Sequence, residues 1–141
     1  MLDYLDENKR TTDKIFNPEI WLVDFTHTGQ GLASDAIPAA IGMVAEFTEK
    51  FIENLKPIKI FKFPETLNEA LINNTPDIIG FSNYVWNYRL SYQFLSEIKL
   101  KYPNTITIWG GPNAPSNNQE LIEYMNLHKK VDFYIVKEAE V

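Results

Sequence analysis

The chain has 141 residues, no cysteine, and 13 Lys and Arg against 19 Asp and Glu, for a formal net charge of −6. This length favours a single domain with its own hydrophobic core. The lack of cysteine excludes disulfides, thiolate zinc sites, a cysteine nucleophile and a cysteine-held iron–sulfur cluster within these residues. The acidic balance disfavours nucleic acid as a partner. Because no apolar run could span a bilayer and no secretory signal is present, we expect a cytoplasmic protein without a membrane partner.

Short apolar runs alternate with helical patterns along the chain. Residues 1–18 are polar and predict an exposed leader before a domain that covers residues 19–141. Residues 20–25 form a nearly continuous apolar run, which is typical of a parallel strand buried on both faces. A loop rich in Gly, Ser and Thr follows over residues 26–35, and apolar residues then recur at helical spacing over residues 38–55.

The same alternation continues to the end of the chain. Four more strands are predicted at residues 58–63, 77–82, 105–109 and 131–136, with a helix over residues 64–73 and helical faces marked by Leu90, Phe94, Leu95, Ile98, Leu121, Ile122 and Met125. Five strands separated by helices predict an α/β fold with a doubly wound, Rossmann-like or flavodoxin-like parallel sheet. We predict the strand order 2-1-3-4-5. Because the sequence stops where a fifth helix would begin, we expect the domain to be truncated before its last helix.

Ligands of such sheets bind at the carboxyl ends of the strands, so the loops after Phe25, Ser82 and Trp109 are the candidate site. Residues 29–34 nearly match a dinucleotide-binding glycine motif. Ser34 replaces the third glycine, however, and the loop is too long for a tight phosphate turn. A mobile glycine loop is the simpler interpretation.

Ser82 lies in half of a nucleophile elbow, Gly-Phe-Ser-Asn-Tyr, and Asp24 with His27 would complete a hydrolase triad. The second glycine of the elbow is missing, which favours a Ser82 that hydrogen-bonds a loop or a ligand. Asp24 and His27 are also two candidate metal ligands, but two such residues alone usually lie on a solvated loop. The sequence therefore predicts no catalytic residue and no metal ligand.

Two further loops have unusual composition. Residues 83–88 place three aromatic side chains and two amides at the predicted ligand edge. They indicate either an exposed ligand surface or a Trp86 or Tyr88 that packs on the third helix. The run Gly110-Gly111-Pro112 either lets the backbone approach a bulky group or forms an ordinary turn.

Taken together, these segments resemble the cobalamin-binding domain of cobalamin-dependent radical S-adenosylmethionine enzymes. The resemblance covers roughly residues 19–141 and rests on spaced segments that are more specific together than singly. These segments are residues 76–87 (Pro-Asp-Ile-Ile-Gly-Phe-Ser-Asn-Tyr-Val-Trp-Asn), Ile98-Lys99, Tyr102-Pro103, residues 108–112 (Ile-Trp-Gly-Gly-Pro), Pro38 with Ile41-Gly42, Val131-Asp132 and Glu138-Ala139-Glu140.

The resemblance implies a module that binds cobalamin and does not itself catalyse. Ser82, Gly110 and Gly111 would contact the nucleotide tail, and the loops at residues 26–31 and 84–86 would approach the corrin. The full set of implied cofactor-binding residues is Thr26, His27, Thr28, Gly29, Gly31, Ser82, Asn83, Tyr84, Trp86, Gly110, Gly111 and Pro112. Asp24 and His27 lack the spacing of the Asp-x-His-x-x-Gly motif, so the resemblance implies no His ligand to cobalt.

In that family a barrel follows this domain, binds S-adenosylmethionine and carries three cysteines that hold a [4Fe-4S] cluster. The parent protein would then perform methyl transfer or related radical chemistry, with the barrel as the partner of this module. Two alternatives stay open. One is a flavodoxin-like flavin or nucleotide module that binds phosphate at residues 26–29 and stacks its ring on Trp86. The other is a non-enzymatic interaction domain whose aromatic loop is a protein-binding patch.

Overall fold

A computed structural model describes residues 17–26 and 38–136. These residues form a five-stranded parallel sheet with the order β2-β1-β3-β4-β5, which confirms the predicted fold class and strand order. The elements are β1 (Ile20–Val23), α1 (Ala39–Phe51), β2 (Lys59–Phe61), α2 (Pro64–Asn73), β3 (Ile78–Ser82), α3 (Tyr88–Lys101), β4 (Ile106–Gly110), α4 (Asn118–Leu127) and β5 (Phe133–Ile135).

One face of the sheet carries the hydrophobic core. Side chains alternate between the two faces of a strand, so every second residue of β1, β3 and β4 points to this face. The buried cluster consists of Trp21, Val23, Phe25, Phe61, Leu67, Ile79, Phe81, Leu95, Ile98, Trp109 and Val131. Leu67 comes from α2 and Leu95 from α3, and Tyr124 of α4 packs against the same cluster. The helices α2, α3 and α4 therefore cover this face.

The opposite face is only partly covered by the described residues. α1 packs against β1 and buries Ile41 and Ala45, neither of which belongs to the first cluster. Phe133 keeps 60% of its surface exposed, and Ile60 and Ile106 are also exposed. The expectation that β1 is buried on both faces is therefore wrong in part, because its burial alternates along the strand.

Element boundaries follow the local sequence where it contains clear start and stop residues. α2 spans Pro64–Asn73 as predicted, because Pro64 suits the first helical turn and Asn74 adopts an extended conformation that ends it. α1 ends at Phe51 and not at residue 55, since Ile52 is extended and Asn54 has φ 60°. This left-handed residue turns the chain toward β2. None of the helices in the described ranges combines the length and apolarity that a bilayer crossing requires.

Candidate functional site

The candidate site lies at the carboxyl ends of β1, β3 and β4. β1 and β3 are neighbours in the sheet, and their chains leave toward different sides, which makes this edge the topological switch point. Ser82 pairs with Gly110, and Gly110 pairs with Ile135. Residues paired across a sheet share a face, so Ser82, Gly110 and Ile135 form a row on the partly covered face. Asp24 extends the row on the β1 side, because Ser82 Oγ donates a hydrogen bond to Asp24 Oδ1 at 2.5 Å.

Asn87 joins this row to the start of α3. Its buried side chain donates from Nδ2 to Ser82 Oγ at 2.9 Å and to Asp24 Oδ1 at 3.2 Å. Its Oδ1 accepts a hydrogen bond from the backbone N–H of Tyr84 at 2.9 Å. Asp24, Ser82 and Asn87 thus form one polar cluster at the switch point, which we call the Asp24 cluster.

The Asp24 cluster differs from a hydrolytic triad. In a triad a histidine stands between the nucleophile and the carboxylate, whereas here Asp24 accepts directly from Ser82. Sequence reasoning treated Asp24 only as a triad or metal candidate and missed Asn87. The signal for Asn87 was its place at the helix start five residues after Ser82, but its contact with Asp24 spans 63 residues and has no local pattern.

Asn83 connects the loop after β3 to the loop after β4. Its side chain is fully buried and donates from Nδ2 to the hydroxyls of Tyr124 and Tyr134 at 3.0 and 3.2 Å. Its Oδ1 accepts from Asn113 Nδ2 at 3.1 Å, and its backbone N–H donates to Gly110 O at 2.6 Å. Every polar atom of the Asn83 side chain is therefore engaged within the protein.

The two glycines after β4 have different surroundings. Gly111 has φ 134°, and a Cβ built there would lie 2.6 Å from Asn83 O. This position thus requires glycine, because the backbone of Asn83 lies too close for a side chain. A Cβ at Gly110 would lie 3.5 Å from Ile135 Cβ, an ordinary contact distance. Gly110 therefore adds no side chain to the row of Ser82, Gly110 and Ile135, although the backbone at this position would also accept another residue. Pro112 follows as an exposed residue of the same turn.

Two partly buried tyrosines, Tyr124 and Tyr134, contact Asn83 beneath these loops. Burial raises the pKa of both Tyr124 and Tyr134, and the hydrogen bonds from Asn83 oppose that effect without cancelling it. Both phenols are consequently protonated at neutral pH. Tyr134 uses its hydrogen to donate to Gly111 O at 2.6 Å, which ties β5 to the glycine turn.

An exposed aromatic pair rises at the same edge of the sheet. Tyr84 and Trp86 stack with ring centroids 4.5 Å apart and planes 5° from parallel. Trp86 keeps 55% of its surface exposed, and Val85 is exposed beside it. Tyr88, by contrast, packs against the core cluster. Tyr88 is thus the first residue of α3 and faces the core, whereas Trp86 presents an aromatic surface to solvent.

The remaining implied site residues fall in two groups. Thr26 is half-buried at the end of the first strand region, where its N–H donates to Lys62 O at 3.2 Å. The other four lie outside the described residues, namely His27, Thr28, Gly29 and Gly31. Within residues 17–26 and 38–136, no three His, Asp or Glu side chains converge as metal ligands would.

Two open depressions lie elsewhere on the surface. One of about 270 Å³ lies between α2 and α3, beside Leu71 and Phe94. The other, of about 380 Å³, lies at the amino ends of β3 and β4, beside Pro76 and Thr105. Neither includes a residue implied by the sequence, and the amino ends of parallel strands are not where ligands of this fold bind.

Comparison with known proteins gives a partial similarity. No family model matches the chain. It is 35% identical over 66 residues to the cobalamin-dependent radical SAM methyltransferase TokK of Streptomyces tokunonensis, an alignment that covers 47% of this chain and 9% of that protein. It is 29% identical over 65 residues to the 2-(S-pantetheinyl)-carbapenam-3-carboxylate methyltransferase of Streptantibioticus cattleyicolor, covering 46% of this chain and 9% of the relative. The matched segment is thus a small part of each relative. The chain is similar, over about half of its length, to methyltransferases that include a cobalamin-dependent radical SAM enzyme.

Proposed function

We propose that this chain is a cobalamin-binding module of a cobalamin-dependent radical S-adenosylmethionine enzyme. The observation that carries the proposal is the arrangement of Ser82 and Gly110 side by side at the switch point, next to the exposed Tyr84–Trp86 stack. The partial similarity to a cobalamin-dependent radical SAM methyltransferase supports the same reading. The parent enzyme would transfer a methyl group or perform related radical chemistry, with S-adenosylmethionine and a [4Fe-4S] cluster bound by a further domain.

The described residues fit a large, partly apolar ring with a slender tail. Gly110 contributes no side chain to the row, where a longer residue would project from the sheet. The tail would lie along the row of Ser82 and Gly110, on the sheet face that α1 only partly covers. The flat Tyr84–Trp86 surface suits the ring, because aromatic faces pack on extended apolar groups. Bound cobalamin would supply a cobalt centre able to carry a methyl group.

The proposal divides the implied site residues by role. Tyr84, Trp86 and Gly110 are at least partly exposed, and Ser82 lies beside Gly110 with 6% of its surface exposed. We propose that these four residues contact the cofactor. Asn83 is fully buried and satisfied by Tyr124, Tyr134 and Asn113, so we propose that it holds the two loops together and does not touch the ligand. Gly111 serves the same structural purpose, because its position requires glycine.

The direct test is titration of the purified chain with hydroxocobalamin and methylcobalamin, followed by visible spectra and by co-elution in gel filtration. The wild-type chain should retain both. Trp86→Ala should weaken binding by at least about tenfold through loss of the stacking surface, while its melting temperature stays near that of the wild type because Trp86 is half exposed. Gly110→Leu should also block binding by filling the row, whereas Gly110→Ala should not.

Leu127→Ala is the matched control, since Leu127 is an exposed apolar residue at the carboxyl end of α4. It should leave cobalamin affinity unchanged. A folded wild-type chain that retains neither corrinoid, or a Gly110→Leu variant that binds as well as the wild type, would contradict the proposed site. Purification with a bound flavin would favour the flavodoxin-like alternative, and ligand-independent association that Trp86→Ala abolishes would favour the interaction domain.

A further inference from the structure

The hydrogen bonds of the Asp24 cluster fix what Ser82 is able to offer a ligand. A serine hydroxyl has one donor and two acceptor positions. Ser82 spends its donor on Asp24 Oδ1 at 2.5 Å and one acceptor position on Asn87 Nδ2 at 2.9 Å. One acceptor position remains. Ser82, with 6% of its surface exposed, is therefore able to accept a hydrogen bond from a ligand but has no hydrogen to give.

The orientation of Asn87 makes this assignment firm. Its amide oxygen accepts from the backbone N–H of Tyr84 at 2.9 Å, so its nitrogen must point to Asp24 and Ser82. A flipped amide would set two N–H groups against each other and an oxygen against the Asp24 carboxylate. The surface of the cluster consequently presents an acceptor beside a negative charge.

We infer that the Asp24 cluster recognises a neutral hydrogen-bond donor of the ligand, a carboxamide N–H or a ribose hydroxyl, and rejects a phosphate or carboxylate. The inference rests on the proposed function, since cobalamin carries primary carboxamides around its ring and a ribose in its tail. Its phosphodiester offers only acceptors and negative charge, and so it lies away from Asp24. Ser82 makes the contact, and Asp24 is a positioning residue that acts through Ser82.

Binding of hydroxocobalamin to single and double variants tests the inference. Asp24→Ala removes the acceptor of the Ser82 hydrogen, which is then free to turn toward the ligand. We expect binding to be weakened about tenfold in Asp24→Ala and in Ser82→Ala, the loss of one well-placed hydrogen bond. Because Asp24 acts through Ser82, the double variant should bind no more weakly than Ser82→Ala alone. Glu123→Gln, at an exposed carboxylate on α4, should bind like the wild type.

Cobinamide separates the two sources of the donor, because it keeps the ring carboxamides and lacks the ribose and phosphate. An Asp24→Ala effect of equal size on cobinamide and cobalamin assigns the donor to a carboxamide. An effect on cobalamin alone assigns it to the ribose hydroxyl. Both results support recognition of a neutral donor.

Three results would overturn the inference. The first is Asp24→Ala binding within about twofold of the wild type, and the second is additive effects in the double variant, which would show that Asp24 does not act through Ser82. The third is a folded wild-type chain that binds neither corrinoid, which defeats the proposed function and the inference with it. Circular dichroism and melting curves establish folding for each variant. If Asp24→Ala does not fold, Ser82→Ala decides alone, because Asp24 and Asn87 remain bonded to each other at 3.2 Å, and unchanged binding then rejects the inference.

Discussion

Replacement of Gly111 by alanine should destabilise the protein through two separate costs. The φ of 134° at Gly111 is strained for any residue with a side chain, at about 1–3 kcal/mol. The new Cβ would also lie 2.6 Å from Asn83 O and 3.0 Å from Asn83 N, so Asn83 has to move. Since Asn83 is held by Gly110, Tyr124 and Tyr134, this movement weakens hydrogen bonds worth about 1 kcal/mol each.

The sum predicts that Gly111→Ala loses about 3 kcal/mol of unfolding free energy, which lowers Tm by about 10 °C in a domain of this size. Gly110→Ala is the matched control, because its Cβ meets Ile135 at an ordinary 3.5 Å. Its free energy of unfolding should stay within about 0.5 kcal/mol of the wild type. Urea denaturation followed by circular dichroism and tryptophan fluorescence measures both variants. Equal stability of the two alanine variants would show that Asn83 and Gly111 are not packed as described.

Two further predictions concern pH. Burial raises the pKa of Tyr124 and Tyr134, so their contribution to stability is fully present below the unfolded pKa near 10 and is lost as the pH rises through the higher folded values. Absorbance at 295 nm should show late-titrating tyrosines that Tyr124→Phe and Tyr134→Phe remove, and an unchanged titration in both variants would be inconsistent with this. Partial burial alone would raise the pKa of Asp132, but hydrogen bonds from Lys99 and Thr107 outweigh it and lower that pKa below its ordinary value. The stabilising contribution of Asp132 is therefore present above about pH 4 and lost as the pH falls through the folded pKa. Acid denaturation of Asp132→Asn should show a smaller loss over that range, and identical acid profiles would refute it.

The sequence predicts the fold well because each element has local chemistry that agrees with the topology. Pro64 and Asn74 bound α2 in the sequence as they do in the structure. The alternation of apolar runs and helical patterns requires parallel strands with crossovers, which restricts the strand order to few choices. Where local signals are weak the predicted boundary is wrong, as at the end of α1. The apolar Leu55 continues the helical spacing, but the helix ends earlier and Asn54 adopts a left-handed conformation.

The polar cluster was harder to predict, because its contacts join distant parts of the chain. Ser82 and Asp24 are 58 residues apart, and Asn87 and Asp24 are 63 residues apart. Composition and motif spacing bring Ser82 to the correct edge but do not show what its hydroxyl bonds. The resemblance implies Asn83 as a cofactor contact, and no local pattern indicates that its side chain is completely buried.

The buried side chain of Asn83 would hold the exposed aromatic pair in place for the proposed binding site. Asn83 ties the loop after β3 to Gly110, and it immediately precedes Tyr84 of the stacked pair. The relative positions of Ser82, Trp86 and Gly110 are therefore set by the protein before any ligand arrives. Under the proposed function, binding on this side of the site would avoid the ordering cost of two independent loops, and preorganisation of this kind raises affinity without adding a contact. A fully satisfied polar network suits that purpose, since it holds a single arrangement at no cost of unpaired buried groups.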